Sequence, residues 1–281
     1  MSKTKERIRD SQLRYKQGLG QNFIYDEDLL AALVRAAGVT KEDDVLEVGP
    51  GAGSMTKHLC KAAHHVMSVE LDDRLFPILE ETLSEFDNVK VIHGDAMKYD
   101  LAGLIAEEFK GLRVAVCANL PYYITSPLIM RLLEEKLPIE TITVMVQKEA
   151  AQRLCAPIGS RESGAVSVAV AFYGTAKTLF QVSRGSFMPA PNVDSAVIQI
   201  TLHKEKPWQV ADEATFFRMV KVGFSQRRKQ LSGVLAGGLG IPKARMQEIF
   251  SQAEIPASAR IESLTMEELV RLANVLAGEA V

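Results

Sequence analysis

A chain of 281 residues, 47% of them hydrophobic and 24% charged, is long enough for one large domain or two unequal ones, with a core that needs no staples. Its 33 basic and 35 acidic residues leave a net charge of −2, which excludes a wholly basic nucleic-acid binder and an acidic disordered chain but can conceal a local basic patch. Three widely spaced cysteines without a CxxC pair argue against a disulfide framework and a zinc cluster, so no metal is expected.

Residues 1–25 open with Lys3, Lys5, Arg7, Arg9, Arg14 and Lys16 against Glu6 and Asp10. This basic arm is either a frayed, solvated end or a polyanion contact. It lacks the apolar stretch of a signal peptide, and no later run approaches the length of a membrane span, so a cytoplasmic location is expected. From Asp26 to Gly38 the pattern predicts a capped amphipathic helix. Short β-branched runs at 44–48, 65–70, 89–95, 113–120 and 140–146 then alternate with helical patterns, and they read as buried parallel strands of a doubly wound α/β sheet. Runs at 176–182 and 193–202 are joined by a segment too short for a helical crossover, which predicts an antiparallel pair at the sheet edge. Beyond residue 203 only helical spacing remains, so the expected division is an arm at 1–25, an α/β domain at 26–203 and a small helical domain at 204–281.

Three strand ends carry the chemistry. The first enters Glu47-Val48-Gly49-Pro50-Gly51-Ala52-Gly53-Ser54, where glycines let a ligand approach the backbone. A dinucleotide fingerprint needs its third glycine three residues after Gly51, where Ser54 stands, so a hydride-transfer enzyme is disfavoured. Glu70 ends the second strand roughly twenty residues on, where a carboxylate can accept from two ribose hydroxyls. Asp95, followed by Ala96, ends the third and can accept from an adenine amine. Each acid alone could be a solvated loop charge, but together they mark the carboxyl edge where open α/β sheets bind ligands. The pattern resembles the class I S-adenosylmethionine-dependent methyltransferases. That resemblance implies a Rossmann-like, mostly parallel sheet with an antiparallel edge strand, plus the small all-helical C-terminal domain.

The fourth strand ends in Asn119-Leu120-Pro121-Tyr122. An exocyclic adenine amine is a poor nucleophile because its lone pair is delocalised into the ring. Acceptors on both N–H bonds, the Asn119 side-chain oxygen and the Leu120 carbonyl, localise that pair. Pro121 stiffens the loop, and Tyr122 offers a stacking face worth about 1–3 kcal/mol per base. The plainer reading is an ordinary turn with Tyr122 in the core. No general base is needed, since the amine proton can leave to water.

Further motifs narrow the resemblance. Leu19-Gly20-Gln21-Asn22-Phe23, the run from Phe187 to Val197 (FMPAPNVDSAV) and the run from Phe224 to Leu231 (FSQRRKQL) are similar in order and spacing to the ribosomal RNA adenine N6-dimethyltransferases, most closely their KsgA-type small-subunit enzymes. Ile24 stands where leucine is usual, and Ser232-Gly233 replaces a more polar pair. The resemblance implies S-adenosylmethionine as cofactor, with Asn22 and Ile24 at its methionine end beside backbone at Gly49 and Gly51. Glu70 would hold the ribose, Asp95 and Ala96 the adenine, and Asn119 would border both cofactor and target. Phe187 is implied as the aromatic face opposite Tyr122 around a flipped adenine, its alternative being a core phenylalanine. The expected partner is small-subunit rRNA in an assembling ribosomal particle, met by a monomer.

Residues 214–247 contain seven basic residues and no acidic one. Arg218, Lys221, Arg227, Arg228 and Lys229 are therefore candidate RNA contacts, against the plainer reading of a solvated helix face. The other readings are a large-subunit enzyme of the macrolide-resistance type, which more often has isoleucine at the position of Leu120, and a non-catalytic RNA-binding assembly or transcription factor on the same fold.

Overall fold

The computed structural model describes residues 23–24, 26–110 and 112–279. The chain forms two compact units, one running to Ala151 and resuming at Ala176–Leu202, the other comprising Gln152–Thr175 and His203 onward.

The first unit begins with β1 (Phe23–Ile24) and α1 (Glu27–Ala37). Asp26 caps α1 by accepting from Leu29 N–H at 3.0 Å, and Gly38 closes it at φ 71°. Leu30, Leu33, Val34 and Ala37 form its buried stripe, as helical periodicity requires. Alternation follows with β2 (Asp43–Val48), α2 (Ser54–Ala62), β3 (His65–Glu70), α3 (Phe76–Leu83), β4 (Val89–His93), α4 (Leu101–Glu108), β5 (Arg113–Asn119), α5 (Thr125–Glu134), β6 (Ile139–Gln147) and α6 (Lys148–Leu154). Then come β7 (Gly174–Val182), β8 (Phe187–Met188) and β9 (Ser195–Leu202).

The main sheet has the order β4-β3-β2-β5-β6-β9-β7. Every position of β2 is buried, which is why its sequence shows no polar alternation. It lies parallel to β3 and β5, with Glu47 opposite Ser68 on one side and Cys117 on the other. Strand order reverses about β2: β3 and β4 extend one way, β5 and β6 the other. That switch point opens a crevice at the strands' carboxyl ends. β9 runs antiparallel to β6, from Thr141 opposite Thr201 to Gln147 opposite Ser195, and β7 lies outside it. A second, two-stranded sheet pairs β1 antiparallel with β8, Phe23 opposite Met188 and Ile24 opposite Phe187. The sequence reading did not foresee this pairing.

The second unit holds α7 (Ala165–Tyr173), α8 (Glu213–Ser225), α9 (Leu231–Leu239), α10 (Lys243–Gln252) and α11 (Met266–Ala277). It differs from the expected 204–281 domain because residues 152–175 pack with these helices. The reason is α7, AVSVAVAFY, which is apolar on all sides and buries Val168 and Phe172 with Phe216, Met219 and Phe250. The Phe172 and Phe216 rings stand 5.1 Å apart. Trp208 packs on the same core and donates to the Ala171 carbonyl at 3.0 Å.

Candidate active site

The crevice at the switch point is a cavity of about 130 Å³ walled by the ends of β2 to β5. Its floor includes Gly49 and Gly51 of the glycine turn, in which Gly49, Gly51 and Gly53 take φ of 72°, 60° and 80°, a region that side chains with a Cβ rarely adopt. A Cβ on Gly51 would stand 3.1 Å from the Phe23 ring, whereas one on Gly49 would meet no atom within 4 Å. Gly49 therefore leaves a cradle that a side chain would fill, and its backbone is open to the cavity.

Glu70 braces this turn. Its Oε2 accepts from Gly51 N–H at 3.1 Å and its Oε1 from Asp72 N–H at 2.8 Å. Burial raises its pKa, while those backbone donors oppose the rise. A third backbone donor, at Leu71, also favours the ionised carboxylate, which keeps acceptor capacity for a further hydroxyl donor. Asp95 accepts from Met97 N–H at 2.9 Å. Its loop is held by Arg131 of α5, whose guanidinium donates to the carbonyls of Ala96 and, at 2.6 Å, of Tyr99. The sequence reading did not single out Arg131, because only the fold brings α5 under that loop.

Asn119 ends β5 at the cavity wall. Leu120 donates to the Met145 carbonyl at 3.2 Å, and the Pro121 carbonyl accepts from Ile124 N–H at 3.2 Å, so the loop is fixed at both ends. The half-buried Tyr122 hydroxyl lies 3.0 Å from Ser195 Oγ at the start of β9, which fixes the ring's tilt. Burial raises the phenol's pKa.

The structure thus brings Ile24, Gly49, Gly51, Glu70, Asp95, Ala96, Asn119, Leu120, Pro121 and Tyr122 onto one cavity. Asn22 lies outside the described residues. Phe187 is not on the wall: it is 5% exposed and packs in the apolar core with Ile24 and Val197. The exposed aromatic at the wall is Tyr123, at 55%, which the sequence reading passed over. In the helical unit Arg218, Lys221, Arg228 and Lys229 are exposed. Arg227 is instead tied down, its Nε 2.8 Å from Glu262 and its terminal nitrogen donating to the Arg161 carbonyl.

A switch-point crevice with a three-glycine turn, a buried carboxylate at the end of β3 and another acid just after β4 defines a Rossmann-like methyltransferase. The chain belongs to the ribosomal RNA adenine dimethylase family, which it matches over residues 12–278. It is 46% identical to the ribosomal RNA small subunit methyltransferase A of Bacillus licheniformis, over 98% of this chain and 95% of that one. With its Oceanobacillus iheyensis counterpart it shares 43%, over 97% and 94%. Among solved structures it resembles a dimethyladenosine transferase from Plasmodium falciparum, with a TM-score of 0.76 at 23% identity over 89% of this chain and 95% of that one. The 23S rRNA methyltransferase ErmE gives 0.69 at 27%, over 91% and 100%.

Proposed function

We infer that this enzyme transfers methyl groups from S-adenosylmethionine to adenine N6 of small-subunit ribosomal RNA. The observation that carries the reading is the placement of Asn119-Leu120-Pro121-Tyr122 at the mouth of the cavity built from the glycine turn, Glu70 and Asp95. Higher identity to small-subunit relatives than to the 23S enzyme supports the small subunit over the large one.

The open Gly49 cradle and the remaining acceptor capacity of the Glu70 carboxylate fit the cofactor, which supplies an electrophilic methyl group when bound. Glu70 holds the ribose hydroxyls, Asp95 and the Ala96 segment the adenine edge, and Ile24 closes the methionine side. Asn119 and the Leu120 carbonyl accept from the two N–H bonds of the target amine, and these bonds strengthen as positive charge develops on nitrogen. Tyr122, its ring held by Ser195, carries the face of the flipped base. The exposed side chains of Arg218, Lys221, Arg228 and Lys229 contact RNA phosphates, which position the substrate without specifying its sequence. Further parts of the reading are dimethylation of two adjacent adenines, an assembling particle as substrate, a monomeric enzyme and a cytoplasmic setting. Mass spectrometry of nucleosides from rRNA incubated with the protein and labelled cofactor tests it. The expected result is labelled N6,N6-dimethyladenosine in small-subunit RNA, and label confined to large-subunit RNA overturns the assignment.

A further inference from the structure

Glu47, next to last in β2, has no part in the chemistry above. It is fully buried, and such burial of a carboxyl is rare without a partner. Its Oε2 accepts from Thr56 Oγ1 at 2.8 Å and Ser68 Oγ at 2.7 Å. Its Oε1 has no hydrogen-bond partner among the described residues, yet the residue lines the cavity. An orphaned buried oxygen costs about 1–3 kcal/mol, and more if it is charged.

The groups facing Glu47 offer no compensation. From α2 come Thr56 and the Cys60 thiol, from β3 Ser68 and Glu70, and from β5 the Cys117 thiol. Burial pushes both thiols up, Cys60 to about 12, with Glu47 itself adding to the rise, so they stay neutral. The cavity wall as a whole holds three carboxyls, Glu47, Glu70 and Asp95, and no Lys, Arg or His among the described residues. Asp95 has the exposed Lys98 3.6 Å away, but Glu47 and Glu70 have no ion pair with a described residue, so their end of the site is complementary to a cationic ligand.

We propose that Glu47 is a proton-coupled counter-charge for the methyl donor: protonated in the empty cavity, it releases its proton to solvent when the positively charged methionine end of S-adenosylmethionine is bound. The proposal rests on the cofactor reading given above. In the empty cavity the proton removes the cost of a dry, unpaired charge. Once a cation is bound, the ionised form is favoured by a nearby opposite charge. Burial, opposed by the two hydroxyl donors and reinforced by Glu70, pushes the Glu47 pKa up to about 7 in the free protein, so about half of the molecules carry the proton at pH 7 and the exchange falls in the physiological range. Two positive groups on the donor, the sulfonium and the α-ammonium, share this chemistry. S-adenosylhomocysteine, which keeps only the ammonium, separates them.

Titration calorimetry of the full-length protein in two buffers of different ionisation enthalpy, with S-adenosylmethionine and with S-adenosylhomocysteine, tests the proposal in the wild type and in Glu47→Gln. The wild type should release about half a proton per S-adenosylmethionine at pH 7, and its affinity should tighten about tenfold from pH 6 to pH 8. Glu47→Gln should lose this release; comparing the two proteins also subtracts the ligand's own amino group. Equal release with S-adenosylhomocysteine assigns the ammonium as the partner, and its absence assigns the sulfonium. Binding of S-adenosylmethionine by the wild type without proton release overturns the proposal, as does undiminished release from Glu47→Gln. The wild-type arm decides even if the variant does not fold. Failure of both ligands to bind is a different result, because it strikes the cofactor reading itself.

Discussion

Replacing Glu47 by Gln should change how the ligand-free protein's stability depends on pH. A carboxyl that titrates near 4.5 in the unfolded chain and at about 7 in the fold binds its proton more tightly in the native state. Its stabilising contribution is therefore complete below about pH 4.5 and is lost as pH rises through about 7. The full loss is on the order of 3 kcal/mol, and about 2–3 kcal/mol of it falls between pH 5 and pH 8.5. Gln cannot titrate, but its amide still accepts from Thr56 or Ser68 while leaving a dry N–H₂, at a pH-independent cost of about 1–3 kcal/mol. The variant should thus be the less stable protein at pH 5 and should match or exceed the wild type at pH 8.5. Equilibrium urea unfolding followed by far-UV circular dichroism measures the difference. Fluorescence alone would not, because the single tryptophan, Trp208, belongs to the helical unit. Parallel pH profiles for the two proteins would mean that Glu47 ionises normally in the fold, and the argument from burial would fail.

Asn119→Ala should lower single-turnover methyl transfer by two to three orders of magnitude, about 3–4 kcal/mol, while RNA binding in a filter assay stays intact; near-normal transfer would remove Asn119 from the chemistry. Arg131→Met should weaken S-adenosylmethionine binding in calorimetry by releasing the carbonyls of Ala96 and Tyr99, with no loss of RNA affinity, and unchanged cofactor affinity would show that the Asp95 loop needs no clamp. Neutralising Lys221, Arg228 and Lys229 should weaken RNA binding and reduce its salt slope by about 0.7–0.9 per lost phosphate contact. Arg227→Gln should instead lower the melting temperature by freeing Glu262 and the Arg161 carbonyl; a salt slope equal to the wild type's in the triple variant would reduce the basic stretch to a solvated face.

The strands from β2 to β6 were readable because each is a short run rich in β-branched and apolar residues, a pattern suited to a largely covered parallel sheet. The carboxyl-edge residues followed, since strand ends locate Gly49, Glu70, Asp95 and Asn119 without knowledge of packing. What escaped the sequence depends on distant partners. The β1–β8 pairing joins two-residue segments more than 160 positions apart, too short to show any periodicity. α7 was missed because a helix that is apolar all round carries no 3.6-residue signal. Phe187 was expected at the target base, but pairing with Ile24 leaves its ring in the core, a placement no local motif encodes. Glu47 sat inside the glycine motif and was read only as part of its spacing. Its significance appears when Thr56 and Ser68 satisfy one oxygen and nothing described satisfies the other.

Charge shows most clearly how composition and structure part company. A net −2 suggests a balanced surface, and the acid-free stretch at 214–247 suggests an unbalanced one, yet neither survives unchanged. Arg227 finds Glu262, and Arg245 finds Glu248 and Glu279, so two of the seven cations are paired by carboxylates from outside the stretch. Arg218, Lys221, Arg228, Lys229 and Lys243 have no ion pair with a described residue and remain available to a polyanion. The cofactor cavity is the reverse, three carboxyls with no Lys, Arg or His among its described lining residues, although the exposed Lys98 stands 3.6 Å from Asp95. Each of these two surfaces thus carries the charge opposite to that of the ligand proposed for it, a cationic methyl donor for the cavity and an RNA backbone for the helices. Salt should separate the two, because exposed charges are screened over about 8 Å at physiological ionic strength while buried ones are screened much less. RNA affinity should therefore fall steeply with salt, and cofactor affinity should follow pH more than salt.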